Sequence, residues 1–477
     1  MTDDRWPGSG EMQGGDRAKS AGVSRDTPER GATGPAQQMA ASRPPARGPL
    51  LFKDIDTPGL AGLETYRRIG GYATVSAVLG RQTPEQCIEV VQASGLRGRG
   101  GAGFPTGLKW SFVPKGTERP KYLVCNADES EPGTFKDREL VEKNPHSLIE
   151  GMILAGWAIQ SNAGYVYLRG EFGWLQKILD QAIAEAYAAG LLGRDVAGTG
   201  FRFDLVTHLG AGAYICGEET ALLSSLEGCR GQPRLKPPFP AVEGLYRCPT
   251  IVNNVETLVN VPHILGQGAA WYRQWGTEKS AGTKVFSVSG PVKRPGNYEL
   301  PLGVPLRVLL EEHCGGMRDG LKLKAVIPGG SSVPPLPASL LDTPLDFESM
   351  NAAGTFLGSG GVIVIDERTC MVDSLWNLMR FYAHESCGKC TPCREGTSWM
   401  TGILERLEHG QGRAGDLDLL ADLADNIMGR SFCPLGDAAA MPVQGFLRHF
   451  RAEFEHHVDH KSCLANRRRD SRTGVPA

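Results

Sequence analysis

Four cysteines near the C-terminal end of the chain restrict its architecture more than any other feature. Three of them, Cys387, Cys390 and Cys393, have C-x₂-C-x₂-C spacing, and Cys433 follows forty positions later, directly before a proline. The short spacing lets one loop present three thiolates to one face of a compact polynuclear centre, and the distant cysteine supplies the fourth ligand once the chain folds back. Four-cysteine ligation with a proline after the last ligand is typical of iron–sulfur clusters.

The competing interpretations of these cysteines are a zinc site and a disulfide framework. Zinc sites usually bring their cysteines in two separated pairs, and the third sulfur of a triplet is awkward for a tetrahedral ion. Disulfides are not expected in a long chain that shows no signal peptide, and cysteines isolated in apolar stretches indicate a reducing compartment. The pattern favours a [4Fe–4S] cluster and leaves zinc open, because spacing alone does not count the irons.

The length and charge of the chain argue against two classes of protein. Its 477 residues are enough for several domains, and acidic and basic residues nearly balance at a formal net charge of −2. A dedicated nucleic-acid binder would carry a basic field. No stretch reaches the roughly eighteen uninterrupted apolar residues that a membrane-spanning helix needs, so we expect membrane contact only through a partner protein.

Both ends of the chain differ from the rest in composition. Residues 1–50 are rich in Gly, Pro, Arg and Ser and nearly lack aliphatic residues, so we predict a disordered N-terminal extension. They contain no apolar segment, and their acidic residues argue against a transit peptide. Residues 461–477 form a basic tail that we interpret as solvated.

A glycine-rich segment follows a helix that we expect to begin at Thr83 and Pro84, with the threonine as its cap. Within the segment, Gly98-x-Gly100-x-x-Gly103 matches the dinucleotide-binding fingerprint literally. That fingerprint needs a strand before it, whereas here a helix leads in. The match alone is therefore weak.

The same segment nevertheless has the composition of a ligand-binding loop. Its glycines let the backbone approach a phosphate or a planar ring closely, and unhindered N–H groups can bind an anion. Arg97, Arg99 and Lys109 would add positive charge. A flexible linker is the alternative, although linkers rarely interleave such cations with aromatic residues.

Strands and helices alternate through the first half of the chain. We expect strands at 121–126, 164–169 and 203–209, separated by helices at 146–161 and 171–189. This alternation predicts a parallel, doubly wound α/β sheet. Polar turns end two of these strands: an acidic one after 126, and a glycine loop before a helix N terminus after 209. Carboxylates suit ribose hydroxyls and helix N termini suit phosphates, although either turn can also be merely solvated.

Two further segments of this region carry groups that suit a heterocycle. A stiff proline segment presents Lys236 and Phe239, and the adjacent amides of Asn253 and Asn254 can address both edges of a planar ring. Each segment can also be ordinary turn or cap chemistry. Four such turns in one α/β region favour a binding site.

The rest of the chain predicts two smaller domains. From residue 283, strands around a Gly/Pro turn, a short helix at 306–313 and further strands indicate a mixed α+β domain of the β-grasp type. After Cys370 the patterns are helical, at 372–385, 397–408, 416–428 and 442–457. We interpret these as a helical bundle that carries the cluster loop at one end.

Four segments, 95–109, 125–133, 212–220 and 385–396, closely resemble the NADH-binding flavoprotein subunit of respiratory complex I, the 51 kDa-type subunit of NADH:quinone oxidoreductase. The resemblance extends over 51–460. It implies a Rossmann-like α/β domain for FMN and NADH at 51–280, a ubiquitin-like β-grasp domain at 281–368, and a four-helix bundle with a [4Fe–4S] cluster at 369–460.

The resemblance also assigns residues to roles. Cluster ligands would be Cys387, Cys390, Cys393 and Cys433. Two carboxylates, Glu131 and Glu219, would lie beside the nicotinamide and its ribose and act in catalysis. Cofactor-binding positions would be Gly98, Arg99, Gly100, Gly101, Ala102, Gly103, Lys109, Asn126, Asp128, Tyr214, Gly217, Glu218, Asn253, Asn254 and Thr257, with Phe104, Phe112, Lys236 and Phe239 around the adenosine half of NADH.

The activity implied by the resemblance is hydride transfer from NADH to FMN, followed by one-electron transfer to the cluster and on to quinone through partner subunits. The expected partners are other peripheral-arm subunits, among them a thioredoxin-like [2Fe–2S] subunit and a large iron–sulfur subunit, with no nucleic acid. The expected location is cytoplasmic, peripheral to the cytoplasmic face of the inner (plasma) membrane.

Two alternatives stay open. A diaphorase subunit of an NAD-reducing hydrogenase or NAD-dependent formate dehydrogenase shares the three-part core and often carries a fused cluster domain. The first 86 residues contain no cysteine, which favours the respiratory assignment. From another class, the chain would be a non-catalytic metal-binding scaffold.

Overall fold

The computed structural model describes residues 48–465. The expected extension at 1–50 and the tail at 461–477 therefore lie largely outside the described residues. Within those described, a first sheet contains four parallel strands in the order β3-β2-β1-β4. They are β1 (Tyr122–Ala127), β2 (Ala163–Leu168), β3 (Asp204–Leu209) and β4 (Thr250–Asn254).

Three of these strands and the parallel α/β sheet were predicted, whereas β4 was not. The segment that contains Asn253 and Asn254 was predicted to be a polar turn. In the structure this segment pairs in parallel with β1, so that Asn253 lies opposite Cys125 and Asn254 opposite Asn126. Both polar segments therefore reach the same carboxyl edge of the sheet, where open α/β sheets bind ligands.

Helices precede, connect and follow these strands. Helix α3 begins as predicted: Pro84 is its first residue, the Thr83 hydroxyl accepts from the Gln86 backbone N–H, and the Gln86 side chain accepts from the Thr83 N–H. The helices are α1 (Leu63–Arg68), α2 (Ala73–Val78), α3 (Pro84–Ala93), α4 (Thr106–Ser111), α5 (Lys136–Lys143), α6 (Pro145–Ile159), α7 (Gly173–Ala188), α8 (Glu219–Leu226), α9 (Val255–Gln267) and α10 (Ala269–Tyr272).

The alternation of side chains along β1 divides the apolar core into two parts. Leu123 and Cys125 pack with the buried faces of α6 and α9, whereas Val124 points to the opposite face. On that opposite face, Val124 and Val252 share a core with the C-terminal helices. The sheet is thus fastened directly to the region that carries the cysteine cluster.

A second sheet occupies the middle of the chain. Among the described residues it has five strands in the order β6-β5-β9-β7-β8, with β5 and β9 parallel and the other neighbours antiparallel. They are β5 (Thr283–Ser289), β6 (Gly296–Pro301), β7 (Leu323–Ile327), β8 (Leu336–Pro337) and β9 (Gly361–Asp366), accompanied by α11 (Leu306–Val308), a π turn (Leu309–His313) and α12 (Phe347–Ala352). This is a mixed α+β domain with its own core around Phe286, as the sequence predicted.

The helical region contains α13 (Met371–Glu385), α14 (Thr391–Glu408), α15 (Asp416–Ile427) and α16 (Leu435–His460). Two starts differ from the predicted ones: α14 begins at 391 instead of 397, and α16 at 435 instead of 442. Pro392 falls in the first turn of α14, where proline is tolerated, whereas Pro442 lies inside α16. In residues 48–465, no helix combines the length and the apolar composition needed to cross a membrane.

Candidate functional site

The glycine-rich loop connects α3 to α4 and is closed by backbone hydrogen bonds. The Gly98 N–H donates to the Phe104 carbonyl at 2.9 Å, and the Arg99 N–H donates to the Thr257 hydroxyl on α9, also at 2.9 Å. Gly103 has a φ of +64°, and a Cβ there would lie 2.5 Å from a phenylalanine ring. Only glycine meets both conditions at this position.

The tip of the loop lies against β4. Gly100 and Ala102 are exposed, and a Cβ added to Gly100 would lie 3.0 Å from the Cβ of Asn254. Gly101 has a φ of +138°, in the region that favours glycine. The loop backbone therefore runs past the carboxyl edge of the sheet at close range.

The arginines of the loop are engaged within the protein. The Arg99 side chain is fully buried, and its guanidinium donates to the Tyr272 hydroxyl at 3.2 Å and the Ala281 carbonyl at 2.8 Å. Arg97 forms an ion pair with Glu348 at 2.6 Å. The Arg99 charge therefore lies in the core. The sequence had suggested a position at the loop surface.

Two lysines and two glutamates form a charged cluster at the start of α8. Glu219 accepts from Lys109 at 2.8 Å and from Lys236 at 2.9 Å, and Lys236 also lies 3.1 Å from Glu218. Burial alone would raise the pKa of Glu219, but the two ammonium groups outweigh it and lower that pKa to about 2. Glu218 caps α8 by accepting from the backbone N–H of Thr220. Glu219 is thus a permanent anion that orients two cations.

Asp128 carries an unsatisfied acceptor at the end of β1. One carboxylate oxygen accepts from the Ser130 hydroxyl at 2.7 Å, whereas Oδ2 is buried without a hydrogen-bond partner among residues 48–465. Burial raises the pKa of Asp128 to about 7. Asn126 holds the neighbouring turn by donating to the Gly217 carbonyl at 2.9 Å, and a Cβ added to Gly217 would lie 3.9 Å from Asp128 Oδ2. A buried acceptor without a partner among the described residues suits a heterocyclic N–H, and it fits the flavin expected here.

Glu131 joins three parts of the molecule. Its carboxylate accepts from the Tyr214 hydroxyl at 2.6 Å, from the Ser332 backbone N–H at 2.8 Å and from the Ser331 hydroxyl at 3.3 Å. Burial raises the pKa of Glu131. The Tyr214 backbone N–H donates in turn to the Glu385 carboxylate, at the end of α13. The expected nicotinamide-side carboxylate is therefore held by the second domain and linked to the helical region.

The paired asparagines already have partners within the protein. The carboxamide oxygen of Asn253 accepts from the Trp110 indole at 2.8 Å. Asn254 caps α9 by accepting from the Glu256 N–H at 3.0 Å, and it donates to Asp137 at 2.7 Å. Both side chains therefore have structural roles, and Asn254 is the helix cap that the sequence had left open as an alternative.

Sequence reasoning missed a buried charge cluster beneath the glycine-rich loop. Glu256 accepts from Lys136 at 2.7 Å and from Lys284 at 3.2 Å, and all three side chains are fully buried. Lys284 also donates to the Arg99 carbonyl at 3.2 Å, which ties the second domain to the loop. Burial lowers the pKa of Lys284 to about 7 despite Glu256. A glutamate at the start of the apolar helix α9 was the signal that could have revealed it.

Three exposed phenylalanines lie close to Lys109 and Lys236 in the sequence. Phe104, Phe112 and Phe239 are 44%, 50% and 58% exposed, and the rings of the first two lie 6.2 Å apart between centroids. Phe104 and Phe112 thus form an exposed aromatic pair. Such a pair can stack against the planar ring of a ligand.

The four cysteines of the predicted cluster line one cavity. Cys387 and Cys390 lie in the loop between α13 and α14, Cys393 in the first turn of α14, and Cys433 just before α16. The other lining residues include Ile215, Pro233, Lys389, Phe432 and Leu435. Burial raises the pKa of the Cys433 thiol to about 12, so a cation in the cavity is needed to hold it as a thiolate. Four thiols on one cavity are the donor set of an iron–sulfur cluster, and the chemistry of the lining fits one.

The two sites share one turn. Residues Tyr214–Gly217 follow the glycine loop after β3. Ile215 of this turn lines the cysteine cavity, and Gly217 accepts from Asn126 on the flavin side. The Phe432 N–H donates to the Cys390 sulfur at 3.4 Å. This turn therefore contacts both the carboxyl edge of the sheet and the cysteine cavity.

Comparison with protein families assigns the three regions. The family models of the Nuo51 FMN-binding domain, the SLBB domain and the NADH-ubiquinone oxidoreductase-F iron–sulfur binding region match residues 91–263, 284–364 and 373–457. The chain is thus a flavin- and iron–sulfur-binding oxidoreductase subunit. It is 55% identical over 415 residues to the second F-type subunit of NADH-quinone oxidoreductase in Rhizobium meliloti, covering 87% of this chain and 99% of that protein. It belongs to the family of F-type subunits of NADH-quinone oxidoreductases, which confirms the resemblance and the expected FMN, NADH and iron–sulfur cofactors.

Two further similar proteins extend the comparison. The chain is 54% identical to the mitochondrial NADH dehydrogenase [ubiquinone] flavoprotein 1 of Dictyostelium discoideum, covering 78% of each. A crystal structure of an NAD⁺-reducing [NiFe]-hydrogenase in its H₂-reduced state is similar with a TM-score of 0.75 at 41% identity. That match covers 83% of this chain and 66% of the hydrogenase chain.

Proposed function

We propose that this chain oxidises NADH at the carboxyl edge of β1–β4 and passes the electrons to a cluster on Cys387, Cys390, Cys393 and Cys433. The observation that carries the proposal is the shared turn: Ile215 lines the cysteine cavity, while the same turn bonds to the flavin-side Asn126. FMN, when bound, accepts a hydride and releases electrons singly, which an iron–sulfur cluster can carry onward.

The side chains divide the work of binding. Lys109 and Lys236, held by ionised Glu219, would donate to hydroxyl or phosphate oxygens of the dinucleotide. The orphaned oxygen of Asp128 would accept from the flavin ring edge. Glu131 would help to position the nicotinamide ring through Tyr214 and Ser332, which already donate hydrogen bonds to it. No protein base is needed for direct hydride transfer, so both glutamates act by orientation.

The remaining predicted positions would contribute backbone and shape. Glycine-rich loop residues and Thr257 would border the flavin phosphate, and the exposed phenylalanines would pack on the adenine. Support comes from the close approach of the loop to β4 and from the exposure of the rings.

We further infer the finer domain types and their predicted boundaries. Counting the strands of the second sheet from one to five, their order is 2-1-5-3-4 with the first and last parallel, which supports a ubiquitin-like β-grasp domain. A shared core among α13, α14, α15 and α16 supports a four-helix bundle. The first domain alternates parallel strands and helices, which supports its description as Rossmann-like.

Partners and location follow from the proposed role. A thioredoxin-like [2Fe–2S] subunit and a large iron–sulfur subunit would receive the electrons, at the cytoplasmic face of the inner membrane. A hydrogenase or formate dehydrogenase partner set is the alternative. The chain is 55% identical to its R. meliloti relative and 41% identical to the hydrogenase chain, which favours the respiratory set.

The test is purification of the full chain without oxygen. We expect bound FMN, about four irons per chain and NADH–ferricyanide activity. Protein without flavin and iron after reconstitution would overturn the proposal. Isolation of the native complex then distinguishes the two partner sets. Membrane subunits in the complex would support the respiratory set, and a hydrogenase or formate dehydrogenase subunit would support the alternative.

A further inference from the structure

Two cysteines and a histidine meet at the end of the helical region that lies away from the predicted cluster. Ligand atoms of Cys370, His457 and Cys463 all lie within 4.8 Å of one another. Cys370 precedes α13, whereas Cys387 follows it, and this 15-residue helix is about 22 Å long. The group is therefore separate from the cysteine cavity described above.

The fold brings these residues together from three segments. Cys370 is the buried N-cap of α13, and His457 is buried in the last turn of α16, 87 positions further on. After α16, Lys461 adopts a left-handed conformation with a φ of +54°, which reverses the chain toward Cys463. The Lys461 ammonium donates to the Gly412 carbonyl and holds this reversal in place.

The orientation of His457 is that of a metal ligand. Its Nδ1 lies 3.1 Å from the Leu407 carbonyl, which can only accept, so Nδ1 carries the proton. Nε2 then presents its lone pair toward the Cys370 sulfur, 3.5 Å away. A backbone carbonyl that fixes the tautomer in this way is the usual outer partner of a metal-bound histidine.

The separation of two of the ligand atoms matches a tetrahedral zinc ion. With Zn–S of about 2.3 Å and Zn–N of about 2.0–2.1 Å, sulfur and nitrogen ligands are separated by about 3.5 Å. The Cys370–His457 distance has this value. The three protein ligands leave a fourth coordination position for a water molecule or another oxygen ligand. Thiolate and imidazole donors favour zinc over magnesium or calcium.

We propose that Cys370, His457 and Cys463 bind a structural Zn²⁺ ion, with an oxygen ligand such as water in the fourth position. The ion would fasten the start of α13 to the end of α16 and to the segment that follows it. Because it lies at the other end of α13, it would have no part in electron transfer. The inference stands independently of the proposed function.

The test is a metal analysis of the full, cluster-containing chain and three variants, purified without oxygen from zinc-supplemented cells. Cys463→Ala removes one proposed ligand, and Cys229→Ala is the matched control because Cys229 is an exposed free cysteine. Cys390→Ala distinguishes zinc at this site from zinc captured by an unfilled cluster cavity. Zinc and iron are measured by mass spectrometry, together with FMN content and NADH–ferricyanide activity.

We expect about one zinc per chain in the parent protein, in Cys229→Ala and in Cys390→Ala, and at least a tenfold loss in Cys463→Ala with FMN, iron and activity kept. If Cys463→Ala does not fold, zinc-edge X-ray absorption of the parent protein decides: two sulfur and two nitrogen or oxygen neighbours support the site. A zinc-free parent protein, a four-sulfur shell, zinc that is lost only in Cys390→Ala, or a Cys370–Cys463 disulfide would overturn the proposal.

Discussion

The expected flavin–NADH region and the cysteine cavity differ in the kinds of side chain that they offer to a cofactor. The cavity uses four like side chains, three of which come from one short stretch of chain. The flavin side uses unlike groups from loops between residues 98 and 257, and many of them already have protein partners. Removing one cysteine should therefore destroy its site, whereas removing one flavin-side group should weaken binding by degrees.

The largest expected effect tests the cysteine cavity. Cys390→Ala should lower the iron content from about four per chain to near zero, because the cluster would lose one of its four thiolate ligands. FMN content should stay unchanged, and Cys229→Ala should match the parent protein in both. Iron and flavin are measured on the same anaerobic preparation. Joint loss of both would show that the two regions are not separable.

A smaller effect is expected at Glu219, which orients two lysines. Glu219→Gln should raise the KM for NADH about 10- to 100-fold, since charge-assisted hydrogen bonds contribute about 1.5–3 kcal/mol each. FMN content should be retained. Glu311→Gln is the control, because its ion pair with Arg307 is exposed and contributes little. Loss of FMN with an unchanged KM would contradict the assigned role.

Asp128 should make the stability of the flavin-free protein depend on pH. Its pKa of about 7 lies above the ordinary 3.8, so the folded state binds the proton more tightly and stability falls as pH rises through this interval. We expect a loss of about 1–4 kcal/mol between pH 4 and pH 7. Asp128→Asn should flatten the profile, as calorimetry at pH 4 and pH 7 would detect. An identical slope in both proteins would refute the assignment.

The smallest effect is expected at the exposed aromatic residues. Phe112→Ala should raise the KM for NADH about 2- to 10-fold, because an aromatic contact contributes about 0.5–1.5 kcal/mol beyond its buried area. The melting temperature should not change, since Phe112 is 50% exposed. Trp399→Ala, at 58% exposure on α14, is the control and should leave KM unchanged. Equal effects of the two variants would argue against a role for Phe112 in binding.

Local patterns predicted much of this molecule. Thr83 and Pro84 predicted the start of α3, and alternating strand and helix patterns predicted the parallel sheet. The strand β4 escaped prediction because two asparagines at its end are typical of turns, and its pairing with β1 is a long-range contact. The early start of α16 was missed because Pro442 breaks the local helical pattern, although neighbouring helices keep the segment helical.

The sequence by itself determined that three cysteines of the cavity lie close together and that the glycine-rich loop has a permissive backbone, because short spacing and residue type act within a few bonds of each other. Tertiary structure alone decided that Arg99 points into the core, that Glu256 joins two buried lysines, and that Cys370 meets His457. These contacts join residues far apart in the chain. Which of them form depends on how helices and sheets pack to bury their apolar faces, and no local pattern encodes that packing.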